Sequence, residues 1–319
     1  MAYTLLIQHG SRVYQPVVQS DVQWETQRKG TPGKLTFKVV KDDVINFTEG
    51  DAVAFKDGSR KVFYGFVFQK SRGKDGIITV TAYDQLRYLK NKDTYVYTNK
   101  TASEVVQMLA DDFALNTGDI DDTEFKIDSR VEDNQTMFDI IQNALDLTLQ
   151  ARKELYVLYD DYGQITLKNV NSMGVGILID EDTGENFDYT SSIDGETYNQ
   201  IKLIYENKDS GKREIYITKD SDNINQWGVL QYFEKLSSNT GAKDKADALL
   251  SLYNQKTRSL TIKGAFGDSR VRAGAMIAVS LDLGDIVANS WLLVEKATHR
   301  YSESLHTMDL TLKGGEFIA

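Results

Sequence analysis

Short stretches in which apolar and polar residues alternate recur towards both ends of the chain. Residues 35–39 place Leu35, Phe37 and Val39 on one face, and residues 78–82 alternate in the same way. Short strands at close spacing, separated by Gly and Asp turns, are typical of a barrel or a sandwich. The first ninety residues and the residues after 198 are therefore predicted to be mainly β.

The spacing of the apolar residues changes near residue 95. Thr101 and Glu104 form a capping-box pattern, in which the hydroxyl and the carboxylate satisfy free amides of the first helical turn. Apolar residues then recur at helical spacing as far as Phe113. A second helix is predicted from about Thr136, and a hairpin over residues 155–167. Together these elements predict a small α+β unit between the two β regions.

The strands of the two β regions match each other in order. Four segments of the first region correspond to four of the second, with offsets that differ by only a few residues: 35–38 with 260–263, 49–55 with 273–279, 63–68 with 292–297, and 78–82 with 308–312. Any single match is explained by the composition of alternating strands. Four matches in one order favour an internal duplication.

A fifth match is weaker. Residues 5–7 correspond to residues 203–205, with an offset about 27 residues smaller than that of the other pairs. This difference is roughly the length of the helix predicted near residues 242–256 with its flanks. The helix is therefore predicted to be an insertion into the second copy.

The repeat and the α+β unit predict three domains. A first tube-like β-barrel covers residues 1–94, an α+β domain covers 95–192, and a second tube-like β-barrel covers 193–319. The inserted helix of the second barrel is expected at about residues 240–257. The predicted fold class is mainly β with α+β, and its two barrels are related by internal duplication.

Composition excludes several kinds of chemistry. The 319 residues include no cysteine and three histidines, so disulfides, a thiol nucleophile, a zinc ribbon and an iron–sulfur cluster are excluded. The net charge of −10, without a long basic run, argues against a nucleic-acid or anionic-membrane surface. No stretch reaches the ~18 apolar residues of a membrane span. The first residues also lack the features of a secretory signal, so we expect a cytosolic chain.

No catalytic or cofactor motif stands out. Residues 30–36 lack the glycine spacing of a phosphate-binding loop and precede a strand. His9 lies near Ser11 without an aspartate that could complete a catalytic relay, and an ordinary turn is the better interpretation. His299 and His306 flank a hairpin loop without a nearby acidic pair. We therefore predict no catalytic, cofactor or metal-binding residues, with these two histidines exposed to solvent.

Two acidic clusters, residues 119–124 and 180–185, contain the oxygen ligands that calcium prefers. Neither cluster has the glycine and the closing glutamate of the twelve-residue calcium loop. Solvated loops are the predicted structure of both clusters, and calcium binding is the alternative. A glycosidase needs only two carboxylates, but nothing in the sequence selects a pair.

Residues 62–68 are apolar on both faces of the predicted strand. A strand with one solvated face alternates, so something must cover the second face of this one. The cover is either the chain's own middle domain or a neighbouring subunit. Phe63, Tyr64, Phe66 and Phe68 are the candidate subunit-interface residues.

The chain resembles phage baseplate hub proteins of the XkdQ/YqbQ type, in the late control D protein class. Such proteins occur in contractile tails, in prophages and in phage-like bacteriocin particles. The resemblance covers nearly the whole chain and rests on family-style patterns at Gly50-Asp51, 62–65, 79–84, 101–115, 136–149, 156–163 and 291–314.

The resemblance implies a homotrimeric ring. Three chains with two barrels each would present six barrels, which adapts a six-fold tail tube to a three-fold spike. Relatives join the tail tube protein, the spike protein and baseplate wedge proteins. The resemblance thus implies a location in the host cytoplasm during assembly and then in the baseplate of the particle.

The sequence therefore predicts a structural hub of a contractile injection system, without catalysis and without a cofactor. The first alternative is a tail-associated peptidoglycan hydrolase, because tail-tip proteins of some relatives carry lytic domains. The second alternative is a carbohydrate-binding tail adhesin. The predicted domains use the whole chain, which leaves no separate domain for lysis.

Overall fold

The structure is a computed structural model that describes residues 3–207, 211–236, 239, 241–284 and 286–314. Strands account for 51% of the residues and helices for 18%, so the predicted mainly β fold with an α+β part is confirmed. The strands are β1 (Tyr3–His9), β2 (Arg12–Tyr14), β3 (Val22–Gln27), β4 (Lys34–Val40), β5 (Ala52–Asp57), β6 (Arg60–Arg72), β7 (Ile77–Tyr83), β8 (Lys92–Lys100), β9 (Thr117–Ile120), β10 (Ile127–Thr136), β11 (Tyr156–Asp160), β12 (Ile165–Asn169), β13 (Gly174–Ile179), β14 (Asn186–Ser192), β15 (Gln200–Glu206), β16 (Arg213–Lys219), β17 (Gln231–Leu236), β18 (Thr257–Phe266), β19 (Met276–Asp282), β20 (Val287–Tyr301) and β21 (His306–Lys313).

Four α-helices and two short 3₁₀ helices complete the described elements. The α-helices are α1 (Ala102–Asp112), α2 (Met137–Arg152), α3 (Ser221–Trp227) and α4 (Ala242–Tyr253), and the 3₁₀ helices are Gln85–Lys90 and Val170–Ser172. None of the helices in the described part of the chain is long and apolar enough to cross a membrane.

Thirteen strands form one sheet. Its main path runs β14-β18-β21-β20-β3-β4-β7-β6-β5-β1-β2, and β19 pairs with both β20 and β13 beside this path. Three smaller sheets have the orders β10-β8, β11-β12-β9 and β16-β15-β17. Helices α1 and α2 bury their apolar sides with β11 and β12, in the α+β part that the sequence predicts.

Contacts between residues divide the chain into two compact units. The first unit takes the residues up to Phe187 together with Thr261–Leu312, and the second takes Asp188–Leu260 with the residues from Lys313. Strands β14 and β18 continue from one unit into the other. The predicted domains 1–94, 95–192 and 193–319 group the residues differently, because the first unit combines strands from both ends of the chain.

The strand order repeats within the large sheet. A first module has the order β3-β4-β7-β6-β5-β1, and a second module has the order β14-β18-β21-β20-β19-β13. The four pairs of segments matched in the sequence, β4 with β18, β5 with β19, β6 with β20 and β7 with β21, occupy the same places in the two orders. The modules differ at their last strand, since β1 is antiparallel to β5 whereas β13 is parallel to β19.

The two modules also share local hydrogen bonds. In the first, the Gly50 amide donates to the Val67 carbonyl over 2.8 Å, and the Val67 amide donates to Asp51 over 2.9 Å. In the second, the Gly274 amide donates to the Val294 carbonyl over 2.8 Å, and the Val294 amide donates to the Ala275 carbonyl over 2.9 Å. The two glycines have φ angles of 90° and 93°. These bonds make Val67 of β6 the counterpart of Val294 of β20. The sequence match would instead pair Val67 with Lys296, so the two alignments differ by two residues.

The predicted match between residues 5–7 and residues 203–205 is wrong. Strand β1 pairs with β5 in the large sheet, whereas β15 pairs with β16 and β17 in the second unit. The place beside β19 that corresponds to β1 is taken by β13. Alternating apolar residues predict a strand but not its partner, and this is why the match failed.

The insertion into the second module is larger than the predicted helix. Between β14 and β18 the chain forms β15, β16, α3, β17 and α4, of which the predicted helix is the last. Helix α4 packs through Ala246 on Ile201 and Leu203 of β15, with six partly buried residues around them: Tyr198, Tyr216, Tyr232, Leu236, Leu249 and Leu250. The second unit thus has a small core of its own.

Candidate functional site

The four predicted interface residues lie on β6 but do not share one face. Phe63 is 3% exposed and belongs to the core of the first module, so it contributes nothing to an outer surface. Tyr64, Phe66 and Phe68 lie on the opposite face of the strand and are half-buried. This difference follows from strand geometry, because successive side chains point to opposite faces.

Aromatic residues of the α+β part cover the Tyr64, Phe66 and Phe68 face. The ring centre of Tyr64 lies 5.6 Å from that of Tyr162, in the turn between β11 and β12. The rings of Phe66 and Phe68 lie 6.4 and 6.0 Å from that of Tyr88, in the 3₁₀ helix after β7. Of the two covers that the sequence left open, the chain's own middle region is therefore present. A role of these residues in a subunit contact stays a prediction.

A glycine permits the close approach of this cover. Gly163 has a φ of 89°, and a Cβ atom there would lie 2.8 Å from the Tyr64 ring. A side chain at this position would therefore meet both backbone strain and an aromatic ring. The Gly163 amide donates to Asp160 over 2.6 Å, which closes the turn between β11 and β12.

A buried ionic cluster lies where the α+β part meets both modules. Asp84 follows β7, Asp160 ends β11, and Arg272 precedes β19. Arg272 Nη1 donates to the Asp160 carbonyl over 3.0 Å, and the guanidinium carbon lies 4.0 Å from the ring centre of Tyr159. The Gly33 amide donates to Asp84 over 2.8 Å. The cluster thus connects segments that are distant in the sequence.

Burial shifts the pKa values of all three charged groups in this cluster. Burial raises the pKa of Asp160 to about 6 and raises the pKa of Asp84 well above its ordinary value, and the Asp160 charge raises the latter further. Burial also lowers the pKa of Arg272. Asp84 and Asp160 are 3% and 5% exposed. The cluster is thus a buried contact between segments of the fold, and a cavity lined by Tyr159 and Arg272 lies beside it.

His299 and His306 form a second buried polar pair. His299 Nε2 lies 2.8 Å from the Val271 carbonyl, which only accepts, so this nitrogen carries a hydrogen. His299 Nδ1 is then the acceptor for His306 Nε2 at 2.9 Å. Burial lowers the pKa of His299 to about 3, with a further contribution from His306, and burial also lowers the pKa of His306. Both rings are therefore neutral near pH 7.

The prediction that these two histidines are exposed to solvent is wrong. Their exposed fractions are 0% and 3%, because β20 continues as far as Tyr301 and β21 begins at His306. The loop between the strands is shorter than the sequence suggested. Strand pairing places both rings inside, where they stack with Tyr301.

A sequence profile described as YQBQ-like matches residues 22–313 of the chain. The chain belongs to the YqbQ-like family. YqbQ of Bacillus subtilis strain 168 is 31% identical over 307 residues, which are 92% of this chain and 91% of that protein. XkdQ, a protein of the phage-like element PBSX of the same strain, is 28% identical and covers 92% of each chain.

The fold of this YqbQ-like chain also occurs in solved structures of tail proteins. A 43 kDa tail protein of prophage MuSo2 from Shewanella oneidensis superposes with a TM-score of 0.72 at 12% identity, over 99% of this chain and 100% of that one. A tail protein from Neisseria meningitidis MC58 superposes with a TM-score of 0.68 at 14% identity, over 100% and 98% of the two chains. At these identities the likeness shows the fold.

His9 of the YqbQ-like chain has a partner that its neighbouring residues do not predict. Its Nδ1 atom lies 2.8 Å from Asp51 Oδ2, which also accepts from the Thr48 amide at 2.7 Å. Asp51 lies 42 residues away along the chain and comes close only because β1 pairs with β5. Only knowledge of that strand pairing could have revealed the contact.

The acidic clusters of the YqbQ-like chain contact local partners. Lys168 donates to Asp119 and, over 2.8 Å, to Asp121, while Glu124 pairs with Arg152 at 2.8 Å. In the other cluster, the Thr183 hydroxyl and the Asp180 backbone bond each other. Across the described residues, no group of three or more His, Asp or Glu side chains is arranged to hold a metal ion.

Proposed function

We propose that this chain is a structural baseplate hub of a phage tail or a phage-like particle, and that three copies form a ring. The ring would adapt a six-fold tail tube to a three-fold spike. The observation that carries the proposal is the repeated module, with its common strand order and its common bonds around Gly50 and Gly274. Two similar modules in each of three chains provide six similar positions.

The relatives support the same role. XkdQ belongs to a phage-like element, and the tail proteins of MuSo2 and of Neisseria meningitidis share the fold. The proposed partners are the tail tube protein, the spike protein and baseplate wedge proteins. The proposed location is the host cytoplasm during assembly and the baseplate afterwards.

A role without catalysis agrees with the position of the perturbed groups. The carboxyls with raised pKa values lie in the Asp84, Asp160 and Arg272 junction, and the histidines with lowered pKa values bond each other inside the sheet. Each of these groups contacts neighbouring segments of the fold. A zymogram on purified peptidoglycan tests this part of the proposal, because clear lysis would favour the hydrolase instead.

The mass of the purified chain in solution tests the ring. Sedimentation velocity over a range of concentrations is expected to show a species of three times the 36.0 kDa chain mass. Electron microscopy of that species is expected to show a ring with six similar lobes around a centre. A chain that remains a monomer at every concentration would overturn the proposal.

A further inference from the structure

Strand β20 joins the two modules within one chain. Its first part pairs with β19, from Val287 opposite Asp282 to Leu293 opposite Met276. Its last part, beyond the end of β19, pairs with β3 of the first module. Strand β21 lies on the other side of β20, so β19 and β3 follow each other along a single edge.

Strand β6 is the counterpart of β20, and its edge is built in the same way. Its first part pairs with β5 over Arg60–Phe66, and its last part pairs with β7 over Phe66–Arg72. Along residues 69–72, β7 is the only neighbouring strand in the described part of the chain. The edge of β6 that corresponds to the β3-binding edge of β20 therefore faces no strand.

The counterpart of β3 is β14, which ends the path of the large sheet. Strand β3 lies between β20 and β4, whereas β14, among the strands that the structure describes, has a neighbour on one side, β18. We propose that residues 69–72 of β6 pair with β14 of a second copy of this chain, repeating between chains the β20–β3 pairing within each chain. This inference rests on the proposed ring, and it names the strands that would close it.

The exposure of the four strand segments agrees with this pairing. Trp24 of β3 and His299 of β20, which face each other across the internal contact, are 3% and 0% exposed. Their counterparts, Asp188 of β14 and Arg72 of β6, are both exposed. Strands that are buried in one copy of the contact thus have exposed counterparts in the other.

A groove runs beside the exposed edge of β6. It has a volume of about 340 Å³, and its lining includes Phe47, Glu49, Lys70 and Arg72. In the second module the corresponding loop contacts β3, since the Ala273 amide donates to the Thr26 hydroxyl over 2.9 Å. The groove is therefore where the internal contact predicts a strand to lie.

Charge favours a head-to-tail contact between copies. The end of β6 carries Lys70 and Arg72, whereas Glu185 immediately precedes β14. The internal contact is bordered by a pair of the same type, with 3.1 Å between Lys296 Nζ and Glu25 Oε2. Opposite charges on two different strands favour a heterologous contact, the type of contact from which a ring is built when the rotation between copies closes.

The register of the proposed pairing follows from the internal one. Lys296 lies opposite Gln27 in the internal contact, and Gln69 is the counterpart of Lys296. The Glu185 amide donates to the Lys263 carbonyl over 3.0 Å, which sets β14 on β18 and makes Ser191 the counterpart of Gln27. Gln69 of one chain is therefore expected opposite Ser191 of the next.

Cysteine cross-linking tests this register, and the chain has no cysteine of its own to interfere. Purified Gln69→Cys and Ser191→Cys chains are mixed and oxidised, and the products are separated without reductant. A covalent dimer is expected, with at least about tenfold less from Gln69→Cys mixed with Ser192→Cys, because neighbouring strand residues point to opposite faces. Gln27→Cys combined with Lys296→Cys is the positive control within one chain.

The outcomes separate this inference from the proposed function. Cross-linking at Ser191 with trimers in solution supports both, and the Gln69→Cys/Ser191→Cys double variant is then expected to give a covalent trimer. Trimers that form without this cross-link, although the positive control forms, overturn the strand assignment and leave the ring. A chain that stays monomeric overturns both.

A charge reversal gives an independent measurement. Arg72→Glu is expected to weaken the association of copies by about tenfold, which corresponds to one favourable ion pair at an interface. The control is Arg12→Glu, on a strand at the opposite end of the sheet path. Equal association of the two variants would contradict the proposed contact.

Discussion

Gly50 and Gly274 occupy the same position in the two modules but have different neighbours. A Cβ atom at Gly274 would lie 2.6 Å from Val157, whereas one at Gly50 would meet nothing within 4 Å. Gly50→Ala is expected to cost about 1–2 kcal/mol for the left-handed backbone. Gly274→Ala is expected to cost a further ~1–3 kcal/mol for overpacking. Urea unfolding of both variants checks this, and equal costs would contradict the packing argument.

Arg272 is the only cation in its buried junction with Asp84 and Asp160 within the described part of the chain. Arg272→Met would leave two buried carboxyls without a counter-charge, at an expected cost of about 3–5 kcal/mol at pH 8. The raised pKa of Asp160, about 6, means that its contribution to stability is full below its ordinary pKa and is lost as the pH rises through about 6. The cost is therefore expected to be smaller at pH 5.

Urea unfolding at pH 5 and at pH 8 measures this difference. The control is Arg270→Met, two residues away, where a partly exposed side chain pairs with Asp268. That variant is expected to have little effect on stability at either pH, because its ion pair is screened by solvent. A similar cost for both variants, or the same Arg272→Met cost at both pH values, would contradict the proposed role of the junction.

The His299 and His306 pair is expected to make the free energy of unfolding fall as the pH is lowered. Both pKa values are lowered in the fold, so the contribution of the pair is full above about 6.5 and is lost as the pH falls below it, for His299 towards about 3. Each histidine is expected to cost up to about 1.4 kcal/mol per pH unit in that range. His306→Gln keeps a donor for His299, and it is expected to reduce this slope. Urea unfolding between pH 7 and pH 4.5 tests it.

His9→Gln is the control for this measurement, because it introduces the same residue at a partly exposed site. The informative quantity is the difference in slope between each variant and the original chain, since carboxyls also contribute to acid unfolding. If His306→Gln and the original chain have equal slopes, the neutral pair does not control acid stability.

At the scale of elements, local signals were sufficient for the α+β part. The Thr101 and Glu104 capping box is present, with bonds of 2.7 and 3.2 Å, and α1 begins at Ala102. Helix α2 begins at Met137, and the hairpin forms as β11 and β12. Capping and apolar spacing are properties of neighbouring residues, so a sequence contains them directly.

The pairing partners of the strands could not be predicted from such local signals. Strand β6 does not alternate, which predicts that its outer face is covered but does not identify Tyr88 and Tyr162 as the cover. The junction of Asp84, Asp160 and Arg272 has no local signal, because these residues are far apart in the chain. Contacts between distant segments depend on which strands pair, and the alternation of apolar residues does not specify that.

The aromatic cover of β6 can be tested as a contact between elements. A double-mutant cycle of Phe66→Ala and Tyr88→Ala is expected to give a coupling free energy of about 0.5–1.5 kcal/mol, the usual range for aromatic pairs. Phe66→Ala with Tyr97→Ala is the control cycle, because Tyr97 packs in the core of the α+β part. Coupling near zero in both cycles would mean that the two rings do not stabilise each other.

At the scale of the whole molecule, the insertion between β14 and β18 begins and ends at one place. The Thr257 hydroxyl donates to the Ser192 carbonyl over 3.2 Å, so the two ends of the insertion lie side by side. Among the residues that the structure describes, the small core around Ile201, Leu203 and Ala246 shares no residue with the cores of the first unit around Phe37, Ile140 or Val157. An element with adjacent ends and its own core can be removed with little effect on the remainder.

Replacing residues 193–256 with a four-residue turn is therefore expected to leave a folded protein. The β14–β18 pairing would then be closed by a hairpin, and both modules would keep all their strands. The shortened chain is expected to unfold cooperatively in urea and, if the modules build the ring, to form trimers as the full chain does. Cutting the same number of residues from within the first module, at 34–97, is the control and is expected to abolish folding. A shortened chain that folds but remains monomeric would mean that the insertion, and not the repeated module, holds the copies together.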